Sequence, residues 1–201
     1  MAYEGYCKVM VPEGRSGDVS VERFEVMDDF ALAKLSMYGR GTRPGQYTAI
    51  RRGGELWMSD THAEFYDSSR FVRKAKELGG SVLVNGLGLG VVVGHLLECD
   101  EIEHIDVVEI DEDVIRLVAP SFECDRVTVH HGDALSMKWP RGTKWQSAWH
   151  DIWQHICTDD LKEHERLLRS YGQRVEYQEC WLHNELLAYR REETARWRHW
   201  A

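Results

Sequence analysis

The chain has 201 residues, 43% of them hydrophobic and 29% charged, and a formal charge of −9. That length supports one well-buried core and is short for two. No apolar run is long enough to span a membrane, and the acidic balance disfavours a broad nucleic-acid surface, which needs cations to displace counterions.

The start, MAYEGYCKVMVPEG, lacks the basic-then-apolar pattern of a secretory leader, so a cytoplasmic location is expected. Residues 21–38 (VERFEVMDDFALAKLSMY) carry apolar residues at helical spacing, with Gly39 as a stop; a helix is expected, with Glu22, Arg23, Glu25, Asp28 and Asp29 on its charged face. As a lid, its apolar face would cover a ligand or a sheet edge. GRGTRPG reads as a loop, and YTAIRRGGELWMS as a hairpin turning at Gly53 and Gly54. Thr61 is placed to cap the helix HAEFYDSSRFVRKAKEL, which Gly79 and Gly80 end.

From there strands and helices alternate. SVLVNG, EHIDVVEI, RVTVHHG, QSAWHDIW and GQRVEYQECW read as strands. VVVGHLLE, EDVIRLVA (closed by Pro120), DLKEHERLLRSY and HNELLAYRREETARWRHW read as helices. The fold class that follows is α/β, a mostly parallel sheet with helices on both faces. Residues 1–60 form a helix-and-hairpin extension in this reading, and residues 61–201 the α/β domain. The basic strip Arg190, Arg191, Arg196 and Arg198 reads as a solvated helix face.

Ligands of such sheets sit beyond the carboxyl ends of the strands, and three motifs fall there. The first strand ends at Asn85 and turns through Gly86, Gly88 and Gly90; residues without a Cβ let a ligand approach the backbone itself. The second strand ends at Glu109, followed by Ile110; an acid roughly 20 residues past a glycine turn can accept from both ribose hydroxyls. The third is HHGDAL, where the Asp133 carboxylate can accept from an adenine amine and a neighbouring backbone N–H, at Ala134, can donate to the ring. Together they describe an adenosine site. A dinucleotide fits less well: the spacing is G-x-G-x-G, and Val91 stands where the third dinucleotide glycine would be.

VLVNGLGLG, VVEID and RVTVHHGDAL together resemble the class I S-adenosylmethionine-dependent methyltransferases over residues 81–153, and within that superfamily the spermidine-synthase-like branch most of all. The resemblance implies a Rossmann-like fold that binds S-adenosyl-L-methionine. The glycine loop would lie under its methionine part, Glu109 on the ribose and Asp133 at the adenine. The cofactor-binding candidates are thus Asn85, Gly86, Gly88, Gly90, Glu109, Ile110, Asp133 and Ala134. The chain departs from the pattern where methyltransferases place an acid two residues before the first glycine, here Val84. It departs again where spermidine synthases place an aspartate in the loop, here Leu89.

WHDIW ends the fourth strand, where the cofactor's sulfonium would lie. Methyl transfer needs alignment above all, and a base only if the nucleophile carries a proton. His150 and Asp151 are the catalytic candidates, and Trp149 and Trp153 the substrate-binding ones. The expected activity is methyl transfer to a small molecule. Aminopropyl transfer of the spermidine-synthase kind and a non-catalytic binding or assembly role stay open, as does a homo-oligomer. No metal is expected: His150, Asp151, His155 and Cys157 fit no zinc spacing, and the five scattered cysteines contain no CxxC pair. His130 and His131 read as structural or solvated. Trp181, with Gln178 and Glu179, ends the fifth strand; packing beneath the last helix is expected of it. No strands six and seven follow, so a sheet of about five parallel strands is expected. Its open edge would be covered by the 47–58 hairpin or by a second subunit.

Overall fold

The computed structural model describes residues 6, 8–27 and 43–200. Two sheets organise them. The first is antiparallel, in the order β1 (Gly14–Ser16), β2 (Val19–Val26), β3 (Gly45–Arg52), β4 (Glu55–Ser59). The second is parallel and is built from β5 (Gly80–Asn85), β6 (Ile102–Glu109), β7 (Val127–His131), β8 (Trp145–His150) and β9 (Val175–Cys180). Its order is β7-β6-β5-β8-β9. The strand order reverses at β5, so the crevice beyond β5 and β8 is the switch point at which α/β sheets bind ligands. This is the expected Rossmann-like α/β architecture. After β9 the described chain continues as a helix.

Among the described residues five α-helices accompany the strands: α1 (His62–Leu78), α2 (Val91–Leu97), α3 (Glu112–Val118), α4 (Leu161–Tyr171) and α5 (His183–Trp200). Alternate strand residues face opposite layers. Val82, Val84, Ile105 and Val107 pack with Phe71 of α1, Leu96 of α2 and Val114 of α3. Leu83, Val108 and Ala148 pack on the other face with Leu167 and Tyr171 of α4. Short buried strands on both faces explain the near-continuous apolar runs of the sequence.

The helix expected over residues 21–38 is corrected where the chain is described. Val19–Val26 is a strand, paired along its whole length with β3. Val19 and Val21 are buried while Ser20 and Glu22 are more exposed, the alternation of a half-buried strand. Residues 28–38, and with them the lid reading, lie outside the described residues. Thr61 does hold the N-cap position of α1, but its side chain makes no capping hydrogen bond. The hairpin turns at Gly53 and Gly54 as expected, both with positive φ.

The hairpin does not cover the open edge. β1 and β2 rest on α3, where Ser16 Oγ donates to Asp113 Oδ1 at 2.6 Å. Met58 of β4 lies against Gly88. The antiparallel sheet therefore sits at the crevice, on the side of the parallel sheet away from β9. β9 keeps only β8 as its strand partner among the described residues, and the charges of Glu176 and Glu179 mark it as an edge.

Gly90 starts α2 at φ 79°, and a Cβ there would overlap the Phe122 ring. Gly90→Ala should cost about 2–4 kcal/mol through strain and overpacking together. Urea denaturation checks this, and adding Phe122→Leu should restore part of the loss.

Candidate functional site

The carboxyl ends of β5, β6, β7 and β8, together with β3, β4 and the start of α3, enclose a cavity of about 400 Å³. Gly86, Gly88, Glu109, Ile110, Asp133, Ala134, Asp151 and Trp153 line it, and so do Arg52, Trp57, Met58 and Asp111. Asn85, Gly90, Trp149 and His150 do not.

Gly86 has φ 94°, and a Cβ on it would overlap the carbonyl oxygen of Asp151. The β5 turn and the β8 end can meet only because the residue is glycine. Glu109 is buried, and its carboxylate ties the loop down. Oε2 accepts from Leu87 N–H at 2.8 Å, and Oε1 from Asp111 N–H at 2.9 Å. Burial raises its pKa; the N–H groups of Leu87, Gly88 and Ile110 and the charge of Arg52 oppose the rise. A carboxylate has about four acceptor sites, so capacity remains toward the cavity. Ile110, beside it, is exposed at the rim.

Asp133 closes the turn after β7. Its Oδ1 accepts from Leu135 N–H at 2.8 Å and its Oδ2 from Ser136 Oγ at 3.0 Å. Asp111 caps α3 through the N–H groups of Asp113 and Val114, and its other oxygen pairs with Arg52. The Arg52 guanidinium also lies 4.1 Å from the centre of the Trp57 ring. The N-terminal sheet is thereby fastened to the cavity wall by charge. On the glycine turn itself, Met58 Sδ accepts from Leu89 N–H at 3.4 Å.

The two catalytic candidates separate. His150 is corrected as a proton acceptor for a ligand, because the fold has already used both its nitrogens. Gln178 Nε2 donates to the Leu168 carbonyl at 2.8 Å, so its Oε1 faces His150 Nε2 at 3.1 Å. His150 Nε2 must then donate, and Nδ1 accepts from Asn85 Nδ2 at 2.7 Å. The ring is wholly buried and neutral, and burial lowers its pKa to about 4. It braces β5, β8 and β9. Trp149 is likewise corrected: it is buried in the core at 5.3 Å from the Phe71 ring, not in the cavity wall.

Asp151 meets the cavity. Burial raises its pKa to about 7, the charge of Asp67 adds to the rise, and the Trp149 indole N–H works against it. Asp67 in turn accepts from Trp181 Nε1 at 3.1 Å. Trp181 thus packs at the sheet and also orients Asp67. Glu179 binds Arg70 at 2.9 Å. Trp153 stacks at 3.8 Å on His164, whose Nδ1 lies 3.1 Å from that of His183. His130 serves the framework through Asp106 at 2.7 Å, and His131 reaches the Ile110 carbonyl at 3.1 Å. Among the described residues no three of His, Cys, Asp or Glu converge as a metal site. Arg52, Met58 and Asp67 were missed by sequence reasoning. The first two stand in the hairpin and the third in α1, and no local pattern marks them as neighbours of the glycine turn.

The pH response separates His150 from Asp151. His150, lowered from 6.5 to about 4, contributes stability at neutral pH that is lost as pH falls through that window. Asp151, raised from 3.8 to about 7, acts oppositely: stability falls as pH rises through its window. Asp151→Asn should therefore be more stabilising, or less destabilising, at pH 8 than at pH 5, by roughly 2–4 kcal/mol. Denaturation curves at both values check it; an equal effect at both would contradict the assignment.

No family model matches the chain. Over 91 residues it is 36% identical to the ribosomal RNA small subunit methyltransferase A of Nitrosospira multiformis, covering 45% of this chain and 33% of that protein. The chain thus spans about a third of the length of this curated relative. Two solved structures match in part. One is the N-methyltransferase NodS from Bradyrhizobium japonicum, with a TM-score of 0.45, 9% identity, and coverage of 56% of this chain and 62% of that one. The other is the spermidine synthase from Thermotoga maritima, with a TM-score of 0.43, 16% identity, and coverage of 68% and 44%. In its motifs and sheet order the chain is similar to the class I S-adenosylmethionine-dependent methyltransferases.

Proposed function

We propose that the chain is an S-adenosylmethionine-dependent methyltransferase acting on a small molecule. One observation carries the reading: Gly86, Gly88, Glu109, Asp133 and Asp151, drawn from four strand ends, line a single cavity. The residues fit the cofactor. Two glycines expose backbone, a buried carboxylate keeps acceptor sites for a ribose, and Asp133 stands beside the N–H of Ala134. When bound, S-adenosylmethionine supplies an electrophilic methyl group, whose C–S bond breaks toward sulfur as the acceptor's lone pair forms the new bond.

The protein's part is placement and proton handling. Gly86 and Gly88 seat the cofactor and Glu109 fixes its ribose; Asp151 accepts the acceptor's proton. A base with a pKa near 7 is matched to work at neutral pH. Trp153, held against His164, walls the acceptor side. The name of the curated relative, a ribosomal RNA methyltransferase, raises a nucleic-acid acceptor. The wall argues against a polyanion: it carries Glu109, Asp111, Asp133 and Asp151, while its guanidinium, Arg52, is paired with Asp111.

Calorimetric titration should show binding of S-adenosylmethionine and S-adenosylhomocysteine and none of NAD. Glu109→Ala should weaken that binding about 10- to 100-fold, the value of hydrogen bonds to a charged group. Asp151→Ala should keep cofactor binding and lower turnover about 100-fold or more. Binding of NAD alone, or of none of the three, would reject the reading.

A further inference from the structure

A bulge interrupts the strand pair that brings the N-terminal sheet to the cavity. Along β3 and β4, Ile50 opposes Met58 but Arg51 opposes Leu56, which leaves Trp57 as an extra residue. In an unbroken strand Trp57 and Met58 would face opposite sides. A bulge re-aims side chains, and here both residues line the cofactor cavity. Trp57 lies under the Arg52 guanidinium at 4.1 Å. Met58 reaches the glycine turn, where its Sδ accepts from Leu89 N–H at 3.4 Å. A Cβ on Gly88 would stand 2.8 Å from that sulfur and 3.1 Å from Cε, so Met58 fills the bare face of Gly88.

The backbone donors of the turn are unequally held. Gly86 N–H donates to the Val108 carbonyl and Gly90 N–H to that of Leu87, both at 2.8 Å. The N–H groups of Leu87 and Gly88 donate to Glu109. Leu89 N–H is held by a thioether, a weak acceptor on a side chain with three rotatable bonds. It is the donor that a ligand can take over at least cost. An anionic oxygen is suited to take it, because charge-assisted hydrogen bonds are roughly twice as strong as neutral ones. The rest of the wall offers such a group little. Arg52 is the sole Lys, Arg or His among the described residues that line the cavity, and it is paired with Asp111.

We propose that Met58 is a specificity-determining residue that holds the seat of the cofactor's amino-acid end. This rests on the S-adenosylmethionine reading above and names the residue that selects among adenosine ligands. A ligand with an α-carboxylate displaces the thioether and takes Leu89 N–H. A nucleoside that ends at the sulfur binds with Met58 in place. The thioether therefore weakens binding of the whole cofactor relative to its nucleoside part, and keeps the turn satisfied between turnovers.

The test titrates the full chain with S-adenosylhomocysteine and with 5′-methylthioadenosine, which lacks the amino-acid end. Met58→Ala should tighten S-adenosylhomocysteine about three- to tenfold and change 5′-methylthioadenosine less than about twofold. Met58 is only partly buried, so the variant should fold, and the 5′-methylthioadenosine titration confirms it. A second measurement needs only the wild-type chain: nuclear magnetic resonance of the Met58 methyl group, assigned with Met58→Leu, and of the Leu89 amide. S-adenosylhomocysteine should shift both signals well beyond the shifts that 5′-methylthioadenosine causes. Weaker S-adenosylhomocysteine binding in Met58→Ala, an equal change for both ligands, or equal shifts from both would overturn the proposal while the cofactor reading stands. Failure of both ligands to bind the wild-type chain overturns the cofactor reading, and the role of Met58 with it.

Discussion

A carboxylate withdrawn from water needs donors, and Glu109 finds them in the backbone N–H groups of the glycine turn. Leu87 and Leu89 anchor the glycine loop after β5 in the core, but their side chains offer nothing to its N–H groups. Its shape depends on the carboxylate reaching across from the end of β6 to the N–H groups of Leu87 and Gly88. The same group takes the N–H of Asp111 and so sets where α3 begins. Asp111 then holds Arg52, and Arg52 brings the N-terminal sheet over the cavity mouth. One buried charge therefore orders the cofactor loop, the following helix and the covering sheet. The cost of burying it is met by hydrogen bonds that also build the site.

The end of β8 shows how neighbouring ionisable residues divide into framework and chemistry. His150 points into the sheet layer, where Asn85 and Gln178 consume both ring nitrogens and burial keeps it neutral. The next residue points out to the cavity. There the burial that silences the histidine leaves a carboxyl able to exchange its proton near neutral pH, with Asp67 reinforcing the effect. His150 is the last residue of β8 and is held within the sheet layers, whereas Asp151, just past the strand end, borders the cavity. The backbone carbonyl of Asp151 also presses on Gly86, so the proton acceptor and the cofactor turn are held in fixed relation.

The parallel sheet was legible because its signals are local. Short apolar runs ending in glycine or an acid, alternating with helical patterns, place every strand from Gly80 onward. The glycine turn, Glu109 and Asp133 follow from their positions at strand ends. The stretch after Val21 was misread because valine and phenylalanine in a half-buried strand also satisfy a loose helical spacing; the deciding alternation begins at Val19, and pairing with β3 supplies the hydrogen bonds. His150 and Asp151 are equivalent in the sequence, since which face a side chain takes depends on the exact strand end. Arg52 and Met58 reach the cavity, and Asp67 acts on Asp151, only through the packing of the N-terminal sheet and α1. No spacing within the chain encodes that arrival.

A crystal structure of the chain with S-adenosylhomocysteine tests the central claim most directly. The ribose hydroxyls should lie on Glu109, the adenine between Asp133 and Ile110, and the sulfur toward Asp151, with the glycine turn held as it is here. A ligand seated elsewhere, or a Glu109 carboxylate with no contact to it, would contradict the claim that this buried charge builds the cofactor site.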